Sequence, residues 1–202
     1  MSAPPFLLSA SPREGNTLAA SKIFRAAFNR QAAENGSELP RLRMILLRDC
    51  RILPCIACGA CERSGAPCPQ ADGEDGTALF RYFLEAPILA LAAPIYFYHL
   101  PSTLKALLDR CQFYYRARER GELRTAPRKA FIMLLAARER GERLFQGSLL
   151  TLKLALAPFN FNLAAPLLLR GLNGPRDLAR REDLRKALIE YGSAAARCAD
   201  GT

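Results

Sequence analysis

Apolar runs alternate with amphipathic stretches along the whole chain. "FLLSAS" (6–11) is a short apolar run that stops at a Ser-Pro step. An Ala-rich segment, 16–36, follows with Leu18, Ile23, Phe24, Ala27 and Phe28 near helical spacing and Asn35-Gly36 as its stop signal. "LRMILLRDC" (42–50) is a second apolar run, and 77–86 reads as a short helix. The strand "ILALAAPIYF" (88–97) leads to a helix over 100–117, with Pro101 near its first turn. A strand (129–137), a helix (143–157), a strand (161–171) and a closing helix (181–198) complete the pattern.

Runs 88–97 and 129–137 are apolar on both faces, as central parallel strands covered by helices are. The alternation predicts one α/β domain over residues 1–202, an open parallel five-stranded sheet in three layers with right-handed crossovers. Ligands of such sheets sit beyond the carboxyl ends of the strands, where the strand order reverses. That directs attention to loops 9–17, 50–76, 94–101 and 137–144.

Composition narrows the class. Half of the 202 residues are hydrophobic and 24% are charged, which is ordinary for a domain with a real core. The net charge is +10, but the arginines are scattered and Glu119 and Glu122 interrupt the densest basic run. No nucleic-acid motif accompanies the charge, so it reads as a solvated Arg-rich surface. The apolar segment 148–169 contains Lys153, Pro158, Asn160, Asn162 and Pro166, too many polar groups and breaks for a bilayer span. No secretory leader is visible, and a cytoplasmic protein without a membrane segment is expected.

"SASPREGNT" (9–17) joins the first strand to the first helix. It offers the hydroxyls of Ser9, Ser11 and Thr17, the Arg13 guanidinium, Gly15 and the Asn16 amide. A helix N-terminus behind such a loop favours an anion through its free N–H groups and dipole. The loop has neither the G-K-[ST] of a Walker motif nor the three glycines of a dinucleotide fingerprint, so a mononucleotide phosphate fits better. A plain helix cap beside a surface arginine is the bland alternative.

"CIACGACERSGAPC" (55–68) holds four of the seven cysteines. The spacing C-x2-C-x2-C-x6-C, with Pro69 after the last cysteine, aims three thiolates at one centre and closes it with a fourth. It is close to bacterial ferredoxin spacing except for the last gap. Tetrahedral zinc and free or disulfide-forming thiols are rivals. Cys50, Cys111 and Cys198 lack ligand spacing, and Cys111 reads as a buried small hydrophobe. Lys105 and Asp109, four apart on one helix, read as a surface ion pair.

Three segments carry a resemblance. "SPREGNT" after a first strand resembles the FMN phosphate loop of the flavodoxin-like NADPH-dependent FMN reductase family. "APIYFYHLPSTLKALLDR" (93–110) is similar to that family's second flavin loop and the helix after it. "PCIACGACERSGAPC" (54–68) is similar to the cysteine segment of its iron–sulfur flavoprotein branch. The resemblance implies a flavodoxin-like sheet of order 2-1-3-4-5 and FMN as cofactor. Ser11, Arg13, Asn16 and Thr17 would hold the phosphate, with Ser9 a weaker candidate. Pro94, Ile95, Tyr96 and Phe97 would run along the isoalloxazine ring. Cys55, Cys58, Cys61 and Cys68 would hold a [4Fe–4S] cluster.

It further implies an oxidoreductase that takes electrons from NAD(P)H and passes them to a small-molecule or protein acceptor, with no side-chain acid or base required. An iron–sulfur electron carrier fed by ferredoxin is one alternative. A metal-stabilised nucleic-acid-binding module without flavin is another of a different class. A homo-oligomer, dimer or tetramer, is expected because flavins of this group lie near a subunit interface. Two positions depart from the family pattern: Ala10 and Tyr98 stand where glycines are usual, and the glycine of loop 137–144 comes late, at Gly141. The role of His99, the only histidine, is open between surface and site.

Overall fold

In the computed structural model, which describes residues 3–71 and 75–200, the strands are β1 (Phe6–Ser9), β2 (Arg43–Leu46), β3 (Ile88–Pro94), β4 (Arg128–Leu135), β5 (Phe161–Leu163) and β6 (Leu167–Leu169). All pairings are parallel, in the order β2-β1-β3-β4-β5 with β6 also on β4. This is the predicted 2-1-3-4-5 order. Residues 72–74, within the predicted cysteine loop, lie outside the described residues.

Strand residues alternate between two cores, as the two-residue period of a pleated strand requires. Phe6, Leu8, Leu89, Leu91, Ile132 and Leu134 face α2 (Gly76–Glu85), α3 (Ser102–Asp109), α4 (Cys111–Glu119) and α5 (Gln146–Leu156). Leu7, Ile88, Ala90, Phe131 and Met133 face α1 (Asn16–Glu34), α6 (Asp177–Arg180) and α7 (Glu182–Asp200). Helices α1 and α7 meet closely at Gly192, where a Cβ would stand 2.6 Å from the Phe24 carbonyl oxygen. Among the described residues no helix is long and apolar enough to cross a membrane.

Three elements differ from the sequence pattern. The run 42–50 leaves the sheet after Leu46 in a 3₁₀ turn over Leu47–Asp49, which starts the cysteine loop. The helix predicted over 100–117 breaks at Arg110, whose N–H bonds the Leu107 carbonyl at 3.2 Å in the tighter i→i+3 register. That break carries the Arg110 side chain inward over the Phe80 ring.

The run 161–171 is two strands, not one. β3 pairs along all of one side of β4, so β5 and β6 share the other, against Arg128–Ala130 and Met133–Leu135 respectively. Between them Pro166 has no N–H to give a ladder. Ile132 falls in the gap, and its N–H donates instead to the Tyr191 hydroxyl at 3.0 Å. The same hydroxyl reaches the Ile132 carbonyl at 3.4 Å.

Candidate functional site

The sheet order reverses between β1 and β3, and a cavity of about 200 Å³ opens beyond their carboxyl ends. Ser11, Arg13, Gly15, Asn16 and Thr17 line one side; Pro94, Ile95 and Tyr96 line the other. Seven of the nine residues singled out for a flavin therefore meet in one place. The first turn of α1 has no side-chain cap and no acidic residue, so its N–H groups and dipole are available to an anion. Apart from its chain neighbours, no atom of the described residues lies within 4 Å of where a Cβ on Gly15 would stand, which leaves that backbone approachable.

The individual side chains divide the work. Ser11 and Thr17 are almost wholly buried, and the Ser11 hydroxyl donates to the Arg13 carbonyl at 2.6 Å, folding the loop on itself. Arg13 is exposed and lines the cavity. Asn16 is a clasp: its amide N–H group donates to the Gly174 carbonyl at 2.7 Å, and its Oδ1 accepts the Leu178 N–H at 3.0 Å. That bond set holds the segment containing Leu172, Asn173 and Pro175, which forms a further wall of the cavity. Ser9 lies one layer below, fully buried, its Oγ 2.9 Å from Ser21 Oγ, and does not line the cavity.

Phe97 lines a second cavity of about 320 Å³, beside the first, with Ile95 and Ala137 as walls of both. Its walls also include Tyr98, Ala136, Arg138 and Leu144. Phe97 and Tyr98 are the two central residues of a tight turn closed by paired bonds between Tyr96 and His99, each 2.9 Å. Both have positive φ, +48° and +65°, a conformation that tight hairpin turns normally give to Asn-Gly. Each non-glycine residue held there costs about 1–3 kcal/mol and persists only where its surroundings over-determine it. Here they do for Tyr98: its hydroxyl accepts from Arg138 Nη1 at 2.8 Å. His99 Nε2 lies 3.2 Å from the Thr151 hydroxyl, which anchors the turn to α5. Phe97 is fully exposed.

Two of the departures from the family pattern, Tyr98 and the late Gly141, meet in space. Gly141, with φ +129°, would carry a Cβ 3.2 Å from the Tyr98 hydroxyl. The bulk at position 98 is accommodated by the glycine at 141.

All four cysteines of the run, Cys55, Cys58, Cys61 and Cys68, line a single hollow of about 420 Å³. Left-handed backbone at Ala57 and Gly59 curls the loop around it. The loop is pinned at both ends and in the middle. Arg51 N–H donates to the Asp75 carboxylate at 2.7 Å, and Asp75 N–H returns to the Arg51 carbonyl at 2.9 Å. Arg120 Nη1 donates to the Cys61 carbonyl at 2.8 Å, and the Ser64 hydroxyl donates to Glu122 at 2.6 Å. Arg120 and Ser64 hold the Glu122 carboxyl down at about 2.

Among the described residues no three His, Cys, Asp or Glu side chains converge on a single-ion geometry. The four cysteines line one space without converging on a point, and four thiols are the donor set a polynuclear cluster takes. Cys111 lies outside the ring; burial pushes its thiol far above the ordinary range, as expected of an inert core thiol. Lys105 and Asp109 form the surface ion pair their spacing predicts.

Residues 6–150 match the model of the NADPH-dependent FMN reductase family. The chain belongs to that family. The matched segment contains both flavin-type loops and the cysteine loop. The chain is 38% identical over 104 residues to an iron–sulfur flavoprotein of Methanocaldococcus jannaschii and 35% identical over 103 residues to one of Methanosarcina thermophila. Each match covers 51% of this chain and 49% of the relative, so the alignment spans about half the length of the curated relatives it matches.

Among solved structures, the azoreductase AzrA superposes with a TM-score of 0.63 at 12% identity, covering 96% of this chain and all of that one. The NAD(P)H:quinone oxidoreductase of Methanothermobacter marburgensis gives 0.62 at 17% identity, over 98% and 96%. At such identities the likeness is one of fold.

Several residues around the site escaped sequence reasoning. The Leu172–Pro175 wall follows the last strand, where a fifth strand-end loop was to be expected, and Gly171 and Gly174 mark it. Arg138 and Arg110 carried no signal beyond being two of many arginines.

Proposed function

We propose that the chain is an FMN-dependent oxidoreductase that takes electrons from NAD(P)H and passes them to an acceptor. One observation carries the reading: an uncapped helix N-terminus lines a cavity that adjoins an aromatic one at the switch in strand order. Ser11, Arg13, Thr17 and the first N–H groups of α1 would hold the FMN phosphate, while Asn16 holds the wall beside it. Pro94, Ile95, Tyr96 and Phe97 would run along the ring, with Ser9 supporting the loop from below. Bound FMN supplies the electron exchange; the residues supply orientation and exclusion of water.

The cysteines extend the proposal. Cys55, Cys58, Cys61 and Cys68 would hold a [4Fe–4S] cluster, a reading supported by their common hollow and by the names of the curated relatives. With such a cluster the chain would pass single electrons, and a ferredoxin-type protein is then a natural donor or acceptor. Homo-oligomerisation and a cytoplasmic location belong to the same reading.

The test is an absorbance spectrum and an FMN titration of protein purified without oxygen, with iron, sulfide and zinc assays on the same sample. Flavin bands and NAD(P)H oxidation are expected, with about four irons per chain. Failure to bind FMN would overturn the oxidoreductase reading. Flavin with no iron would overturn the cluster alone.

A further inference from the structure

A buried positive charge sits in the wall of the cysteine hollow. Arg110 lines it together with Cys55, Cys58, Cys61 and Cys68, and the residue is only 5% exposed. Arg116 and Arg120, also near the loop, are more open to solvent, with side chains 38% and 25% exposed. Arg110 is placed by the break between α3 and α4, which turns its guanidinium carbon to 5.7 Å from the Phe80 ring centre. Phe80 is itself locked among Phe83, Tyr114 and Phe159. The cation is therefore fixed by packing, not carried on a mobile surface side chain.

We propose that Arg110 is the counter-charge of the hollow: it holds the oxidised cluster's negative charge and favours the state carrying one more electron. The inference rests on the cluster reading above. Four thiolates around a [4Fe–4S] core of charge 2+ give a net charge of −2. One electron taken from a reduced flavin makes that −3, with no bond formed or broken and no proton moved. A fixed cation beside the site stabilises the −3 state more than the −2 state. At an effective dielectric of about 20, a unit charge within roughly 12 Å changes such an equilibrium by about tenfold or more. For one electron that is about 59 mV. Burial matters to the argument, because an exposed guanidinium would be screened within a Debye length.

The experiment compares wild type, Arg110→Gln and Arg110→Lys, purified without oxygen and reconstituted with iron and sulfide. Iron content and the cluster's midpoint potential, followed by electron paramagnetic resonance during titration with dithionite, are the readouts. R110Q is expected to keep its iron and to become about tenfold harder to reduce, while R110K returns to near the wild-type potential. If R110Q loses iron but R110K keeps it near the wild-type potential, the charge is needed to hold the cluster, and the proposal stands. R110Q with full iron and an unmoved potential overturns it, as does loss of iron in both variants, which would mark Arg110 as a packing residue only. A wild-type protein that takes up no iron overturns the cluster reading, and this inference falls with it.

Discussion

Replacing Asn16 by alanine separates two roles that one position in a phosphate loop can have. A residue that only touches the ligand's phosphate is silent in the empty protein. Asn16 instead joins the start of α1 to the 172–178 segment through a donated bond of 2.7 Å and an accepted one of 3.0 Å. A third contact, to the Leu172 carbonyl at 3.4 Å, is long enough to add little. Two good bonds at about 0.5–1.5 kcal/mol each put the cost of N16A at about 1–3 kcal/mol before any ligand is added. With a urea slope of about 2 kcal/mol/M, the unfolding midpoint of the FMN-free protein should fall by about 0.5–1.5 M. Binding FMN must then rebuild the wall of Leu172, Asn173 and Pro175, so the same energy reappears as a Kd raised by about 5- to 150-fold. Urea curves of the FMN-free protein and fluorescence titration with FMN measure the two effects side by side. An unchanged urea midpoint with weakened FMN binding would refute the clasp and restore Asn16 as a direct phosphate ligand.

Other perturbations reach the framework and the thiols. Tyr191→Phe removes the hydroxyl that satisfies Ile132 in the strand gap and should cost about 1–3 kcal/mol in urea unfolding. Burial raises the Tyr191 phenol to about 12, so the folded chain keeps a proton that the unfolded chain releases near pH 10. Stability from this group is whole below about pH 10 and is lost as pH rises through about 12; unfolding measured from pH 9 to 11.5 should show that slope in wild type and a flatter one in Y191F. Gly192→Ala puts a methyl 2.6 Å from the Phe24 carbonyl and 3.0 Å from the Ala27 Cβ, which should destabilise by about 1–3 kcal/mol because backbone has to move. Cys61→Ser should lower iron per chain after anaerobic reconstitution while FMN binding stays within about twofold, since the hollow and the phosphate cavity share no lining residue.

Where one physical signal dominated, the sequence was easy to read. The runs at 88–97 and 129–137 have few polar positions, and only a central parallel strand buries such a run on both faces. Loop 9–17 stood out for its hydroxyls, arginine and glycine before a helix, and the structure puts it on the cavity at the switch in strand order. What failed was local geometry under tertiary control. Nothing in "LKALLDRCQFYY" marks a helix break; the break goes together with the burial of the Arg110 side chain over Phe80, a tertiary contact. Pro166 was visible inside the run 161–171, yet the sequence did not show that it divides the run into β5 and β6 or that a tyrosine from α7 fills the missing rung. Asn16 was placed correctly in the cavity, but its bonds run to residues more than 150 positions away, which local sequence does not encode. Tyr98 is the instructive case: the residue departs from the family's glycine while the backbone keeps the conformation that glycine serves.

The split between β5 and β6 also governs how the sheet meets other chains. An outermost strand with an unbroken row of free N–H and C=O groups is a template for a neighbour's strand and a seed of aggregation. Here that margin consists of two three-residue pieces separated by a proline, with a side-chain hydroxyl plugged between them. The opposite margin, β2, is four residues long and begins at an exposed arginine. Neither border offers a foreign strand more than a few consecutive rungs. Association between copies is thereby steered away from sheet extension and toward side-chain surfaces on helices and loops, where recognition is specific and growth can stop.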